Sequence, residues 1–231
     1  MSTPEPDYPR PIVSVDVVIF ALSETGLDVL LVQRGVEPFA GEWALPGGWI
    51  HIDADADLES AARRVLRDKT GVETPYLEQL ASFGNRGRDP RGWSVSVAYV
   101  ALIAADEAMP REGGNAADVT WSPLIGDGVA VPLAFDHGSL LSTALARLRS
   151  KVEYTSLPVH LLPTAFTLSE LQSVYERILG RHLDKSAFRK RMAEADFVRP
   201  ITGQMRRASN RPAQLYRLKK ARSTVFFDRT I

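Results

Sequence analysis

A glycine-rich turn, Leu45-Pro46-Gly47-Gly48-Trp49, followed by a helix-like segment from Asp57 to Thr70 that stops at Gly71, is the feature that most constrains this 231-residue chain. Leu58, Ala61, Ala62 and Leu66 recur at helical spacing, so one stripe of the segment has to be buried against another layer. Gly71 is the residue type that ends a helix in a left-handed conformation. Positions 65, 68 and 69 are spaced i, i+3 and i+4 and therefore share a second face; they hold Val65, Asp68 and Lys69. Runs rich in β-branched and apolar residues flank this unit, at Ile12–Leu22 and Leu27–Arg34 before it and at Leu77–Phe83 and Val95–Ala104 after it. Trp121 to Val131 reads as a short strand and a turn. Asp136 reads as the side-chain cap of a helix through Leu140, Leu141, Ala144, Leu145 and Leu148. The pattern over residues 12–153 is α/β, preceded by an arm at 1–11 that carries four prolines.

The net charge of zero hides a division. Residues 1–150 carry 12 Lys and Arg against 21 Asp and Glu, a balance of −9, whereas residues 151–231 carry 16 against 7, a balance of +9. Such an asymmetry points to two domains with different partners, one of them suited to a polyanion. The chain has no cysteine, which excludes a disulfide framework and a zinc-thiolate site. It has no run of eighteen apolar residues, so no membrane partner is expected and the protein is expected in the cytoplasm, associated with the nucleoid. Four scattered histidines, at 51, 137, 160 and 182, lack metal-ligand spacing. Asp53-x-Asp55-x-Asp57 opens like a calcium loop but has Leu58 where glycine is needed and Arg64 where glutamate is needed. No metal and no cofactor are expected.

From Leu157 the character changes. Thr167 and Glu170 form a capping box, with Phe166 and Leu171 as its hydrophobic staple. The helix so opened buries Leu168, Leu171, Val174, Tyr175, Ile178 and Leu179 and stops at Gly180. Asp184 caps a second helix to about Ala195, with Phe188, Met192 and Ala195 on an inner face and Lys185, Ser186, Arg189 and Lys190 on an outer one. Phe197–Ile201 and Ala213–Leu218 read as strands around a loop, Thr202 to Pro212, that carries Arg206, Arg207 and Arg211. Helix, turn, helix and an arginine-tipped hairpin resemble a winged helix-turn-helix over residues 154–218, with a tail at 219–231. In that architecture the second helix enters the major groove and the wing grips the flanking backbone. Winged helices also dock on proteins; the clustering of basic residues on one face and one loop favours double-stranded DNA.

The turn and helix at 45–72 resemble the Nudix box, a Gly-rich turn and a helix ending Arg-Glu-apolar-x-Glu-Glu-x-Gly-apolar, whose glutamates bind Mg²⁺ for pyrophosphate hydrolysis. Here the glutamate positions read Val65, Asp68 and Lys69. An ammonium about 4 Å from a cation repels it by about 4 kcal/mol at an effective dielectric near 20, so the pocket is expected to survive without its chemistry. The box, together with Leu161-Leu162-Pro163, Phe166-Thr167-Leu168-x-Glu170-Leu171-Gln172, Leu183-Asp184-Lys185, Phe188-Arg189-Lys190 and Arg211-Pro212-Ala213-x-Leu215-Tyr216-Arg217, is similar to the Nudix-related transcriptional regulators of bacterial NAD metabolism, the NrtR family. That resemblance implies a Nudix-like α/β/α sandwich domain with a C-terminal winged helix-turn-helix domain. It also implies a homodimeric repressor of NAD-biosynthesis genes on a palindromic operator, sensing ADP-ribose or a related NAD metabolite. The alternative is an active Mg-dependent ADP-ribose pyrophosphohydrolase with an accessory C-terminal domain.

A dinucleotide diphosphate needs cations for its phosphates and aromatic surface for its base. Arg34 at a strand end, Gly47 and Gly48 in the turn, and Arg88 and Arg91 in the loop 84–92 are the candidates for the phosphates and riboses. Phe39, Trp43 and Trp49 are candidates for stacking, with core packing as the commoner fate of such rings. An ion pair with Asp89 is the competing fate of the loop arginines.

Overall fold

A computed structural model describes residues 10–24, 26–74, 76–105, 109–207, 212–220, 224–228 and 231. In chain order the first part holds β1 (Ile12–Leu22), β2 (Leu27–Arg34), β3 (Trp43–Ala44), β4 (Gly47–Trp49), α1 (Leu58–Thr70), β5 (Tyr76–Asn85), β6 (Ser94–Leu102), β7 (Ala116–Pro123) and α2 (His137–Val152). The strands make one mixed sheet. Central β1 runs parallel to β6 and antiparallel to β2 and β4, and β5 and β7 extend the two sides.

β1 is apolar at nearly every position because helices cover both of its faces. Val15, Val17, Ile19 and Ala21 point toward α1, while Val18, Phe20 and Leu22 point toward α2, the alternation that a strand imposes. α1 begins at Leu58, one residue after the expected start, because Asp57 caps it, and it stops at Gly71 as expected. The Asp57 carboxylate accepts from the Ser60 backbone N–H at 2.7 Å, and Gly71 turns the chain at φ 66°. The result is an α/β/α sandwich.

Three local expectations change. The last strand of the sheet starts at Ala116, before the expected Trp121, because it is a half-exposed edge strand on β2 whose Ala116-Ala117-Asp118 opening shows no apolar alternation. The segment 36–49, whose Gly, Pro and Trp content reads as a loop lining a pocket, is more than that, since β3 and β4 pair with β2 and β1. Asp136 stands at the N-terminus of α2 but makes no side-chain cap; its carboxylate is held by Arg88 instead.

The second part begins with a 3-10 turn, Leu157–Leu161, and continues through β8 (Phe166–Thr167), α3 (Leu168–Leu179), α4 (Lys185–Ala195), β9 (Val198–Arg206) and β10 (Ala213–Leu218). β10 lies between β8 and β9, so the hairpin is the wing of a winged helix. Thr167 and Glu170 satisfy one another's backbone N–H groups at 3.1 and 2.7 Å, and the Asp184 carboxylate accepts from Ala187 at 2.7 Å. Phe188 and Met192 of α4 are buried, and Phe188 meets Tyr175 of α3 edge to face at 5.4 Å.

One apolar cluster runs from Phe20 and Leu31 of the sheet through Leu141, Leu145 and Leu148 of α2 to Leu171, Tyr175 and Phe188 of the winged helix. The C-terminal tail, unassigned from sequence, returns to the junction between the two parts. The Val225 carbonyl accepts from the Ser156 N–H and the Val225 N–H donates to the Ser156 hydroxyl, both at 2.9 Å, and Phe227 N–H donates to the Tyr154 carbonyl at 2.8 Å.

His160, in the 3-10 turn, stacks on Tyr76 with ring centroids 5.0 Å apart, and its Nε2 is buried without a hydrogen-bond partner among the described residues. Burial favours the neutral imidazole and lowers its pKa from 6.5 to about 4. A group whose pKa is depressed by folding contributes stability above its unfolded pKa and loses it as protons are taken up. Stability against urea is therefore expected to fall between pH 6.5 and about 4, and His160→Phe to flatten that fall in part. Identical pH profiles for the two proteins would contradict the assignment.

Candidate functional site

A cleft of about 500 Å³ opens where β1, β2, β4, α1 and the N-terminus of α2 converge. Its floor is built on Asp16, a carboxylate in the middle of apolar β1, with a side chain only 7% exposed. Leaving that charge unpaired would cost several kcal/mol. The Ser96 hydroxyl donates to it at 2.5 Å, and the Arg88 guanidinium lies 3.6 Å away while forking onto Asp136 at 3.0 and 3.1 Å. His137 completes the set. Its Nδ1 accepts from the Leu45 N–H at 2.9 Å, so the proton sits on Nε2, which faces Asp16 at 3.5 Å. Burial, outweighing the pull of Asp16, lowers the His137 pKa and keeps the ring neutral. Gly47 passes directly over this carboxylate: a Cβ there would stand 1.8 Å from Asp16 Oδ1.

One wall is the face of α1 that spacing singled out, with Arg64, Val65, Asp68 and Lys69 all on the lining. Val65 is buried under Gly48, whose added Cβ would lie 3.1 Å from it. Arg64 forks onto Asp55 at 2.6 and 2.7 Å and donates to the Trp49 carbonyl at 2.9 Å; its hydrogen bonds hold the Asp55 carboxyl near 2. Half-exposed Asp68 lies 3.9 Å from Arg64 and 3.6 Å from Arg67. Lys69 donates to the side-chain oxygen of Asn115.

The opposite wall starts at Arg34. The β2–β7 pairing slips between Gln33 and Arg34, an irregularity of the kind that re-aims a side chain beside a site. Arg34 donates to the carbonyls of Pro38 and Val36 at 2.7 and 3.3 Å, and its guanidinium lies 4.7 Å from the centroid of the Phe135 ring. Phe39 and Phe135 adopt φ values of 65° and 56° and meet edge to face at 4.7 Å. Left-handed phenylalanines are costly conformations that the surrounding structure has to hold in place. Arg91 is paired with Asp89 at 2.8 and 3.0 Å and lies 5.3 Å from the ring centroid of half-exposed Trp49.

Of the candidates from sequence, Arg34, Gly47, Gly48, Arg88, Arg91 and Trp49 line the cleft. Phe39 and Trp43 do not: Phe39 packs on Phe135 and the small cluster of Val32, Ala44 and Ala134, and Trp43 packs on the main core. The aromatic faces offered to the cleft are those of Phe135 and Trp49. Asp16, Phe135, His137 and Asn115 were missed. Asp16 had a signal, as the one charge in the apolar run 12–22; the others, in loops and at a helix start, had none. Among the described residues no group of three or more His, Asp or Glu side chains is placed to hold a metal ion.

On the winged helix, α4 exposes Lys185, Ser186, Arg189 and Lys190 on one face. Arg206 is not at a loop tip, because β9 extends to it; its guanidinium binds the Glu170 carboxylate of the capping box and, at 3.0 Å, the Ala165 carbonyl. Arg207 is exposed just beyond the strand, and Arg211 lies outside the described residues. Among the described residues no helix is long and apolar enough to cross a membrane.

Two family models match the chain, that of the NUDIX domain over residues 10–125 and that of the NrtR DNA-binding winged helix domain over residues 158–218. A protein of Acinetobacter baylyi named ADPR responsive transcriptional repressor NtrR is 48% identical over 211 residues, which cover 91% of this chain and 83% of that protein. The crystal structure of Shewanella oneidensis NrtR complexed with a 27mer DNA superposes with a TM-score of 0.87 at 42% identity, covering 95% of this chain and 99% of that one. The NUDIX domain of the same protein complexed with ADP ribose matches at 45% identity and a TM-score of 0.58, covering 61% of this chain and 90% of that one.

Because Gly47 leaves no room above the floor carboxylate, Gly47→Ala is expected to destabilise the protein by about 1–3 kcal/mol. Gly128→Ala, at a position with nothing within 4 Å of the added carbon, serves as the control. Urea midpoints measure both; equal midpoints would show that the floor yields freely.

Proposed function

The chain belongs to the NrtR family, a Nudix domain joined to a DNA-binding winged helix, and on that premise we propose that it is a transcriptional repressor that binds double-stranded DNA and responds to ADP-ribose or a related NAD metabolite. Residues 12–153 form the effector domain in this reading and 154–218 the DNA-binding domain, with an arm at 1–11 and a tail at 219–231. The observation that carries it is the pairing, in one chain with one continuous core, of a cationic cleft and an exposed basic helix face. α4 supplies Lys185, Ser186, Arg189 and Lys190 to the major groove and Arg207 supplies the wing contact to phosphate. The regulated genes would be those of NAD biosynthesis, the operator a palindrome, the working form a cytoplasmic homodimer.

The Nudix cleft binds without catalysing in this account. At the three positions where the box carries glutamates, Val65 has no donor atom, Lys69 is itself a cation, and Asp68 is flanked by two guanidiniums. Mg²⁺ seeks near-octahedral oxygen ligands, so this set does not fit it. The sequence-level alternative of a hydrolase is tested by incubating the protein with ADP-ribose and Mg²⁺ or Mn²⁺. No turnover is expected; turnover that vanishes in Asp68→Ala would establish the enzyme instead.

A ligand regulates only if it binds one conformation better than another. The cleft reaches the DNA-binding half through α2, whose first residue, His137, and the Asp136 that precedes it belong to the cleft floor and whose buried stripe shares a core with Leu171 and Tyr175 of α3. A metabolite that packs on Phe135, two residues before His137, acts on the start of that helix.

For the basic face, a duplex enriched from promoter fragments by the purified protein is the probe. Arg189→Ala and Lys190→Ala are each expected to weaken binding to it and to lower the slope of log affinity against log salt by about one for each lost phosphate contact. Unchanged titrations in fluorescence anisotropy for both variants would remove α4 from the interface.

A further inference from the structure

The cations around the cleft fall into two classes. Arg64, Arg88 and Arg91 each have a carboxylate within ion-pair distance, on Asp55, on Asp136 with Asp16, and on Asp89. Arg34 and Lys69 do not: among the described residues their hydrogen-bond partners are the uncharged oxygens of Pro38, Val36 and Asn115. These two positive charges are held partly out of water with no carboxylate at ion-pair distance among the described residues, Asp16 acting on both only from farther away, an arrangement that an arriving anion relieves.

Their placement is built rather than incidental. Asn115 joins them, since its side chain accepts from Lys69 while its backbone carbonyl accepts at 3.0 Å from the N–H of Gly35, the residue after Arg34. The loop carrying Asn115 can sit this close because Gly113 lies on the end of α1, where a Cβ would be 2.3 Å from the Asp68 carbonyl, and because Gly35 faces the Asn115 carbonyl, where a Cβ would be 2.9 Å away. Lys69 itself stands in the last turn of α1, where the helix carbonyls favour a cation.

We propose that the Lys69 ammonium, paired with Arg34, is the built-in cation that receives the diphosphate of the effector, in place of the divalent metal that a glutamate at this position would recruit. The assignment rests on the reading of the cleft as the ADP-ribose site and deepens it. A diphosphate esterified at both ends carries one negative charge on each phosphate, which Arg34 and Lys69 match one for one. Burial first, and then the nearby Arg34 charge, lower the Lys69 pKa against the pull of Asp16, and a bound diphosphate acts in the opposite sense. Arg88 and Arg91, already paired, position the floor and the rim.

Calorimetric titration of the full chain with ADP-ribose, in EDTA and again in Mg²⁺, tests this. The wild-type protein is expected to bind equally well in both buffers. Lys69→Met is expected to bind about ten- to a hundredfold more weakly in both, the loss of one charge-assisted hydrogen bond to phosphate, while Lys69→Arg, which keeps the charge and a donor for phosphate, stays within about threefold of wild type. The proposal is overturned by wild-type binding that needs Mg²⁺, an outcome that requires no variant to fold, by Lys69→Met binding as tightly as wild type, or by Lys69→Arg losing as much as Lys69→Met. Failure of the wild-type protein to bind ADP-ribose in either buffer is a different result: it overturns the reading of the cleft and this assignment with it.

Discussion

A carboxylate buried in the middle of an apolar strand has to be answered by its surroundings, and the arrangement around Asp16 organises this molecule. Ser96 comes from the neighbouring parallel strand, Arg88 from the loop between β5 and β6, and His137 from the start of α2. Because none of these partners is close to Asp16 in sequence, satisfying one charge fixes the mutual placement of the sheet, a long loop and a helix. The same fixing diverts Asp136 from capping its own helix to holding Arg88. A floor made this way is rigid, and the residues that a ligand could pull on are the ones that begin α2.

The distribution of charge above that floor separates structure from function. Arginines with carboxylate partners behave as parts of the scaffold, and Arg64, tied to both Asp55 and the Trp49 carbonyl, holds the glycine turn against α1. Arg34 and Lys69, which have no carboxylate at ion-pair distance among the described residues, are the cations proposed to receive an anion. On the winged helix the same distinction applies: Arg206 is consumed by Glu170 and Ala165, whereas Arg189 is exposed on α4. Counting basic residues alone would have merged the two kinds.

Much of the architecture was legible because the relevant signals are local. Gly71, Thr167, Glu170, Gly180 and Asp184 each do at a helix end what residue type and spacing predict. Strand β7 was misplaced because it is an edge strand, where neither face is buried enough to force alternation. The site was harder. Trp43 and Phe39 are aromatic and lie near the turn, yet packing claims both, and Phe135 takes the place on the lining by a backbone conformation that sequence does not announce. Lys69 was visible as a lost glutamate; that it faces Arg34 across Asn115 depends on two glycines permitting close approach, which only the fold reveals.

The central claim is that the cleft and the basic helix are energetically linked through α2 and its shared core. Linkage is reciprocal, so DNA has to change the affinity for the metabolite by the same factor that the metabolite changes the affinity for DNA. The most direct measurement is therefore the dissociation constant of ADP-ribose, determined with the free protein and again with the protein saturated by its selected duplex. The account predicts a difference of about fivefold or more between the two; identical constants would contradict it.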